Sequence, residues 1–222
     1  MEKKIVHLAV YDTLADWEVG AATAHINMPS WHREPGIWQV RTVGPDLEPI
    51  TTMGGMRIVP DMALAELSPA DSAMLLLPGA QTWEGEQLVP FARKAREFLD
   101  AGVPVAAICG ATLGLAKEGL LDMCGHTSNA AEFLHYSGYS GGANYIDTPA
   151  VTDGDVITAS ASAPFEFARE VLGRLGVYEP HVLDAWYRLF AHADPTGWAV
   201  LAEYEAVHGA GAAAGSGGGS VA

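Results

Sequence analysis

The chain has 222 residues, 49% hydrophobic and 18% charged, which suits one sizeable α/β domain with a buried core and is short for two. Twelve Lys and Arg stand against 27 Asp and Glu, a formal net charge of −15, which repels phosphate backbones and anionic lipid heads and argues against nucleic acid or a membrane face as a partner. No apolar run approaches the roughly 20 residues that cross a bilayer. Met1 to Lys4 lack a signal-peptide pattern. Cys109 and Cys124 make no disulfide framework, so a reducing, cytoplasmic setting is expected.

Lys4 to Tyr11 is a nearly continuous apolar run, the pattern of a strand buried on both faces. Thr13 and Asp16 have capping-box spacing and open a helix over about Ala15 to Met28. Gln39 to Val43 reads as the next strand, and Ile50 to Thr52 with Met56 to Val59 flank Gly54-Gly55 as a hairpin. Met74 to Leu77 is a short strand stopped by Pro78-Gly79. Glu84 to Ala101 is helical in character, and Val103 to Ile108 is another buried strand. Leu113 to Leu121 is a helix weakened by Gly114 and Gly119. Asp153-Gly154 between Val151-Thr152 and Val156 to Ala159 signals a type I′ hairpin. Pro164 opens a helix whose apolar face is Phe165, Ala168, Leu172 and Leu175. Pro180 and Pro195 open two more, the second capped by Asp194.

Strands alternating with helices predict parallel βαβ units and a three-layer α/β/α sandwich with a mostly parallel sheet. The expected division is a main domain over 1–178, a helical extension of it over 179–208, and a flexible Gly/Ala/Ser tail over 209–222, too poor in apolar surface to order.

Ligands of such sheets bind beyond the carboxyl ends of the strands. Three places qualify: Asp12 to Glu18, Pro78-Gly79-Ala80 and Cys109-Gly110. Cys109 follows a buried strand and precedes a small-residue helix start, the arrangement of a nucleophile elbow, where the helix dipole favours a thiolate. It reads equally as a small buried hydrophobe. Glu18 is either a carboxylate favoured by a helix N-terminus or the partner of Cys109, with a pKa raised by burial. Amides at Gly79, Ala80 and Gly110 form either an oxyanion hole or an ordinary turn. Trp83 lines a pocket or covers a helix end. Cys124 and His126 form Cys-x-His, too few ligands for a closed metal site. No phosphate-binding glycine loop is present, and no cofactor is expected. Trp186, Tyr187, Phe190, Trp198 and Tyr204 concentrate aromatic residues in the last helices, for core packing, a dimer contact or a substrate lid.

Taken together, Ala106-Ala107-Ile108-Cys109-Gly110-Ala111, Leu77-Pro78-Gly79, Glu18 and Asp153-Gly154…Ile157-Thr158-Ala159 resemble the DJ-1/PfpI superfamily over about Lys3 to Val177, most closely its class I glutamine amidotransferase-like, intracellular-protease branch. The resemblance implies a flavodoxin-like sandwich, usually dimeric, in a group that spans peptidases, chaperones, isocyanide hydratases, glyoxalase-type enzymes and oxidation sensors. It implies Cys109 as the reactive cysteine, Glu18 as its protonated partner, and Ala80 and Gly110 amides as oxyanion donors. The peptidases place a His after the nucleophile, where this chain has Gly110. Other members carry a later His where this chain has Asn129; His126 lies three residues earlier and is the candidate to approach from that loop. The amidotransferase His-x-Glu is also missing, with Ala163-Pro164-Phe165-Glu166 in that stretch. The expected role is a cysteine-dependent hydrolase or lyase acting on a small electrophile, with Trp83 and Asn129 at the substrate. The alternatives are a redox-sensing protein oxidised at Cys109 and a binding or chaperone-like domain.

Overall fold

Runs of Leu, Val, Ile and Ala without polar alternation can form strands only where both faces are covered. In the computed structural model, which describes residues 3–208, β1 (Lys4–Ala9) leads through a tight turn into α1 (Asp16–Asn27) and β2 (Trp38–Gly44). The hairpin β3 (Ile50–Thr51) and β4 (Arg57–Ile58) precedes β5 (Met62–Ala63) and β6 (Met74–Leu77). Then come α2 (Val89–Asp100), β7 (Val105–Ile108), α3 (Gly110–Lys117) and α4 (Ala131–His135). The strands β8 (Ala150–Asp153) and β9 (Val156–Ala159) are followed by α5 (Pro164–Leu175), α6 (Pro180–His192) and α7 (Thr196–His208). The tail read over 209–222 lies outside the described residues.

The sheet runs β5-β2-β1-β6-β7-β9-β8. Every pairing is parallel except that of β8 with β9. Its centre is the driest part of the molecule: Met74–Leu77 and Val105–Ile108 are fully buried at every position. Helices α1 and α5 pack on each other, while α2 and α3 pack together against β6 and β7. The flavodoxin-like three-layer sandwich is therefore the fold. Helices α6 and α7 pack on each other, α6 also lies on α5, and Val182, Trp186, Leu201 and Tyr204 join the common core. Among the described residues no helix is long and apolar enough to cross a membrane.

Several local expectations are corrected. No capping box forms: the Thr13 hydroxyl accepts from the Gln81 N–H at 3.1 Å and the Asp16 carboxylate from the Gly54 N–H at 2.6 Å. Both groups tie the β1–α1 turn to its neighbours instead, and α1 starts after Ala15 without a side-chain cap. The helix expected from Glu84 begins at Val89, since Gln81–Glu84 form a separate 3-10 turn ended at Gly85. The helix expected from Leu113 begins at Gly110 and ends at Lys117, before the left-handed Gly119. Asp153 pairs with Val156, so the hairpin turn centres on Gly154-Asp155. Only Gly154 of the two has positive φ, which is the type II′ pattern and not I′. The buried stripe of α5 is Phe167, Ala168, Val171 and Leu172, with Phe165 and Leu175 at its margins.

Beneath the last helices, His25 of α1 is buried with its Nδ1 2.8 Å from the Tyr178 hydroxyl, and its ring meets Trp186 and Phe190, each at 5.1 Å between centroids. Trp186 and Tyr204 thus pack in the core, whereas Trp198 is exposed. Burial pushes His7 and His25 down to about 4 and lowers His32 as well. Such groups bind protons more readily in the unfolded chain, so their stabilisation is complete above pH 6.5 and is lost as pH falls toward 4. Glu18, raised to about 7 by burial, acts in the opposite sense but is one group against three. Denaturant titration is expected to show a loss of roughly 2–4 kcal/mol between pH 7 and pH 4.5. Constant or rising stability over that range would mean these imidazoles are not held neutral.

Candidate active site

Strand β7 ends at Ile108 and α3 begins at Gly110, so the single residue between them turns the chain. Cys109 does this at φ 59°, ψ −124°, a left-handed conformation that costs a non-glycine residue about 1–3 kcal/mol. Its N–H donates to Ala159 O at 2.9 Å, and its carbonyl accepts the Thr112 hydroxyl at 2.6 Å. That hydroxyl also lies 2.7 Å from Ser128 Oγ. These bonds hold the strained residue in place. One turn along α3, a Cβ on Gly114 would stand 2.2 Å from the Trp83 ring, so only glycine lets the indole lie against the helix.

Glu18, in the first turn of α1, is fully buried. The Gly79 N–H donates to its Oε2 at 2.6 Å. A Cβ on Gly79 would lie 2.8 Å from that oxygen, 2.9 Å from Cys109 Sγ and 2.7 Å from Cys109 Cβ. Carboxyl and thiol therefore converge on the space that a side chain at position 79 would fill. The turn beneath them is fixed by Pro78 O, which accepts from the Tyr11 hydroxyl and from Trp83 Nε1. Of the three amides read as oxyanion donors, Gly79 is committed to Glu18. Ala80 finds no protein acceptor among the described hydrogen bonds, and the Gly110 N–H points to the Cys109 sulfur.

Burial raises the Glu18 carboxyl to about 7, against the pull of the Gly79 N–H. Its Oε1 has no protein donor among the described residues, and a proton carried there would satisfy it. Burial first, and the Glu18 charge second, push the Cys109 thiol up to about 11, while the Asn129 amide and the Gly110 N–H pull it down. The thiolate expected from the helix N-terminus is thus outweighed by desolvation and by the neighbouring carboxylate.

Asn129 fastens its own amide: Oδ1 accepts from the Ala161 N–H at 2.9 Å, leaving Nδ2 to donate to Cys109 Sγ at 3.5 Å. Trp83 is buried in the wall, its indole N–H engaged by Pro78 O and the Tyr11 hydroxyl. His126 is not brought to the site. It is buried in its loop, Nδ1–H donating to Cys124 O at 2.9 Å and Nε2 accepting from the Tyr139 hydroxyl at 3.1 Å. Cys124 is half-buried, its thiol donating to Leu120 O. A cavity of about 180 Å³ opens over Cys109, and its lining includes Trp17, Met53 and Phe133, which sequence reasoning missed. Only Trp17 left a signal, as an aromatic residue adjoining Glu18 whose ring stays half-exposed while its N–H donates to Ala161 O at 3.0 Å.

Comparison with known proteins identifies the family and bears out the fold. A family model described as the DJ-1/PfpI family matches residues 3–174. The chain is similar to the "Uncharacterized protease YoaZ" of Bacillus subtilis, 41% identical over 192 residues that cover 85% of this chain and 91% of the relative. It is similar in structure to a thiJ/pfpI family protein from Bacillus anthracis, with a TM-score of 0.87, 39% identity, and coverage of 92% of this chain and 98% of that one. A DJ-1 superfamily protein from Agrobacterium tumefaciens matches with a TM-score of 0.76 and 34% identity over 86% of this chain and 98% of its own.

The two groups acting on the thiol are expected to move it in opposite directions. Glu18→Gln removes the neighbouring negative charge and lowers the Cys109 pKa by about one unit or more, whereas Asn129→Ala removes a donor to the sulfur and raises it. Thiolate absorbance followed against pH reads both shifts. Equal pKa values in the two variants would show that neither group governs the sulfur.

Proposed function

The chain belongs to the DJ-1/PfpI family, and from that premise we propose that it is a cysteine-dependent enzyme of the hydrolase or hydratase/lyase class acting on a small electrophile. The observation that carries the reading is the meeting of Cys109 Sγ and Glu18 Oε2 at the surface of Gly79, beneath an open cavity. With one carboxylate and one thiol in contact, the pair holds a single mobile proton. That proton passes from sulfur to the carboxyl, and the thiolate adds to the electrophilic carbon. The S–C bond forms as the carbon–heteroatom π bond breaks, and its electron pair moves to the heteroatom. The amides of Ala80 and Gly110 stabilise that charge, and Glu18 returns the proton to it. For an amide or an aldehyde the step is the net addition of S–H across the multiple bond; for an isocyanide the terminal carbon takes both the sulfur and the proton, and neither case needs an imidazole.

A complete Cys-His-Glu amidotransferase is not proposed, because His126 has both ring nitrogens engaged within its own loop. Oxidation of Cys109 to sulfenate or sulfinate is the competing role and likewise needs no base. It is disfavoured by the raised thiol, since oxidation follows thiolate character. A homodimer in a reducing cytoplasm belongs to the same proposal, supported by the family and by two cysteines that are both free.

Turnover of small amides, aldehydes and isocyanides tests the reading. Cys109→Ser is expected to abolish it while leaving the fold intact. The reactive form of the pair arises as its first proton is lost, so kcat/KM should rise about tenfold per pH unit below about 7 and level off above. Glu18→Gln should lose that limb and cost roughly 10²- to 10³-fold in rate. Undiminished activity in Cys109→Ser would end the proposal.

A further inference from the structure

The cavity over Cys109 is, at about 180 Å³, below the roughly 300–1,000 Å³ of ordinary small-molecule sites. It does not end there. A second cavity of about 340 Å³ abuts it, and Glu84 and Phe133 line both. The second is walled by Leu113 of α3 and by Tyr136, which stands 87% exposed at the far side. Trp17, Met53 and Phe133 make the wall of the first largely apolar.

Charge divides the candidates further. The side chains lining the first cavity include two carboxyl groups, Glu18 and Glu84, and no Lys, Arg or His. The second holds one cation, Lys117, whose ammonium donates to the carbonyls of Trp83, Glu84 and Gly85 at 3.2, 3.2 and 3.4 Å. All three of its protons are thereby engaged within the protein. An anionic substrate would meet two carboxyl groups and find no free cation among the residues lining either cavity.

From these observations we infer that the two cavities form one substrate groove, selecting an uncharged electrophile that carries an apolar arm. The reacting carbon lies at Cys109, and the arm passes Phe133 toward Leu113 and Tyr136. The inference rests on the proposed role of Cys109 as nucleophile and names the substrate class of that site. Carboxylate-bearing electrophiles, including free amino acids and 2-oxo acids, are rejected by the wall and not by the nucleophile.

Three alkylating probes with one leaving group separate the two claims: iodoacetamide, iodoacetate and N-benzyliodoacetamide. In each, the S–C bond forms as the C–I bond breaks, iodide leaves, and the thiol proton passes to Glu18 or solvent. Rates of Cys109 modification in the full chain, followed by mass spectrometry at pH 8.5, are divided by the rates with free cysteine. Relative to iodoacetamide, the benzyl probe should gain about tenfold or more, the factor expected from burying much of one ring. Iodoacetate should lose about tenfold or more to the like charge of the wall. Phe133→Trp, which narrows the junction, should lower the ratio of benzyl probe to iodoacetamide. If all three probes react in the free-cysteine ratios, the nucleophile stands and the groove is overturned. If none modifies Cys109 in the folded protein while all do so after unfolding, the nucleophile falls, and the groove with it.

Discussion

The site depends on one hydrogen bond, from the Gly79 N–H to the buried Glu18 carboxyl. A carboxyl group taken wholly out of water needs donors or a proton of its own, and here it has one donor and a raised pKa. The bond requires that the turn after β6 come within contact of α1, which in turn requires a residue without a side chain at position 79. It also fixes which amides remain for the substrate, because the donor that holds the acid cannot also hold an oxyanion. Around this contact the molecule arranges its most constrained features. Cys109 sits in a left-handed conformation on one side, and the Tyr11–Pro78–Trp83 network lies below.

How far this was legible in the sequence varies with the kind of force involved. The strands over Met74–Leu77 and near Val105–Ile108 were plain because complete burial leaves an unbroken apolar run. Cys109, Glu18 and the Gly79 turn were legible as candidates because they follow strand ends, where this architecture exposes its ligands. What failed was local inference that ignored tertiary competition. Thr13 and Asp16 have the spacing of a capping box, but the Gln81 and Gly54 amides claim them first. Gly114 looked like a weakness in a helix and is the seat of the Trp83 ring. His126 has the right chemistry and lies in the right loop, yet Cys124 O and Tyr139 take both its nitrogens. The apolar wall was hardest to see. Met53 and Phe133 come from a hairpin and a five-residue helix far apart in the chain, and no periodicity connects them.

The raised thiol also gives the protein a chemical temperament. A cysteine that rests as a thiol is slow toward adventitious oxidants. It becomes a nucleophile when the neighbouring acid accepts its proton, so reactivity is coupled to a group only part of which is set by the sulfur's own surroundings. Asn129 contributes a weak, directional donor in this setting. Its far oxygen is pinned by Ala161, so it can stabilise charge on sulfur but cannot take a proton from it.

Helix α1 carries Glu18 near one end and His25 near the other, seven residues apart and hence about 10 Å along the axis on the same side of the helix. The first end seats the acid; the second is clamped by Tyr178 and the Trp186 ring of α6. The helix therefore acts as a beam with two bearings, and its alignment at the thiol is set partly at the opposite bearing. Residues of α6 that never approach the substrate are accordingly bound to the same tolerance as the acid itself. A change of ring size at residue 186 is therefore met first by the imidazole of residue 25, on the helix that also carries the acid.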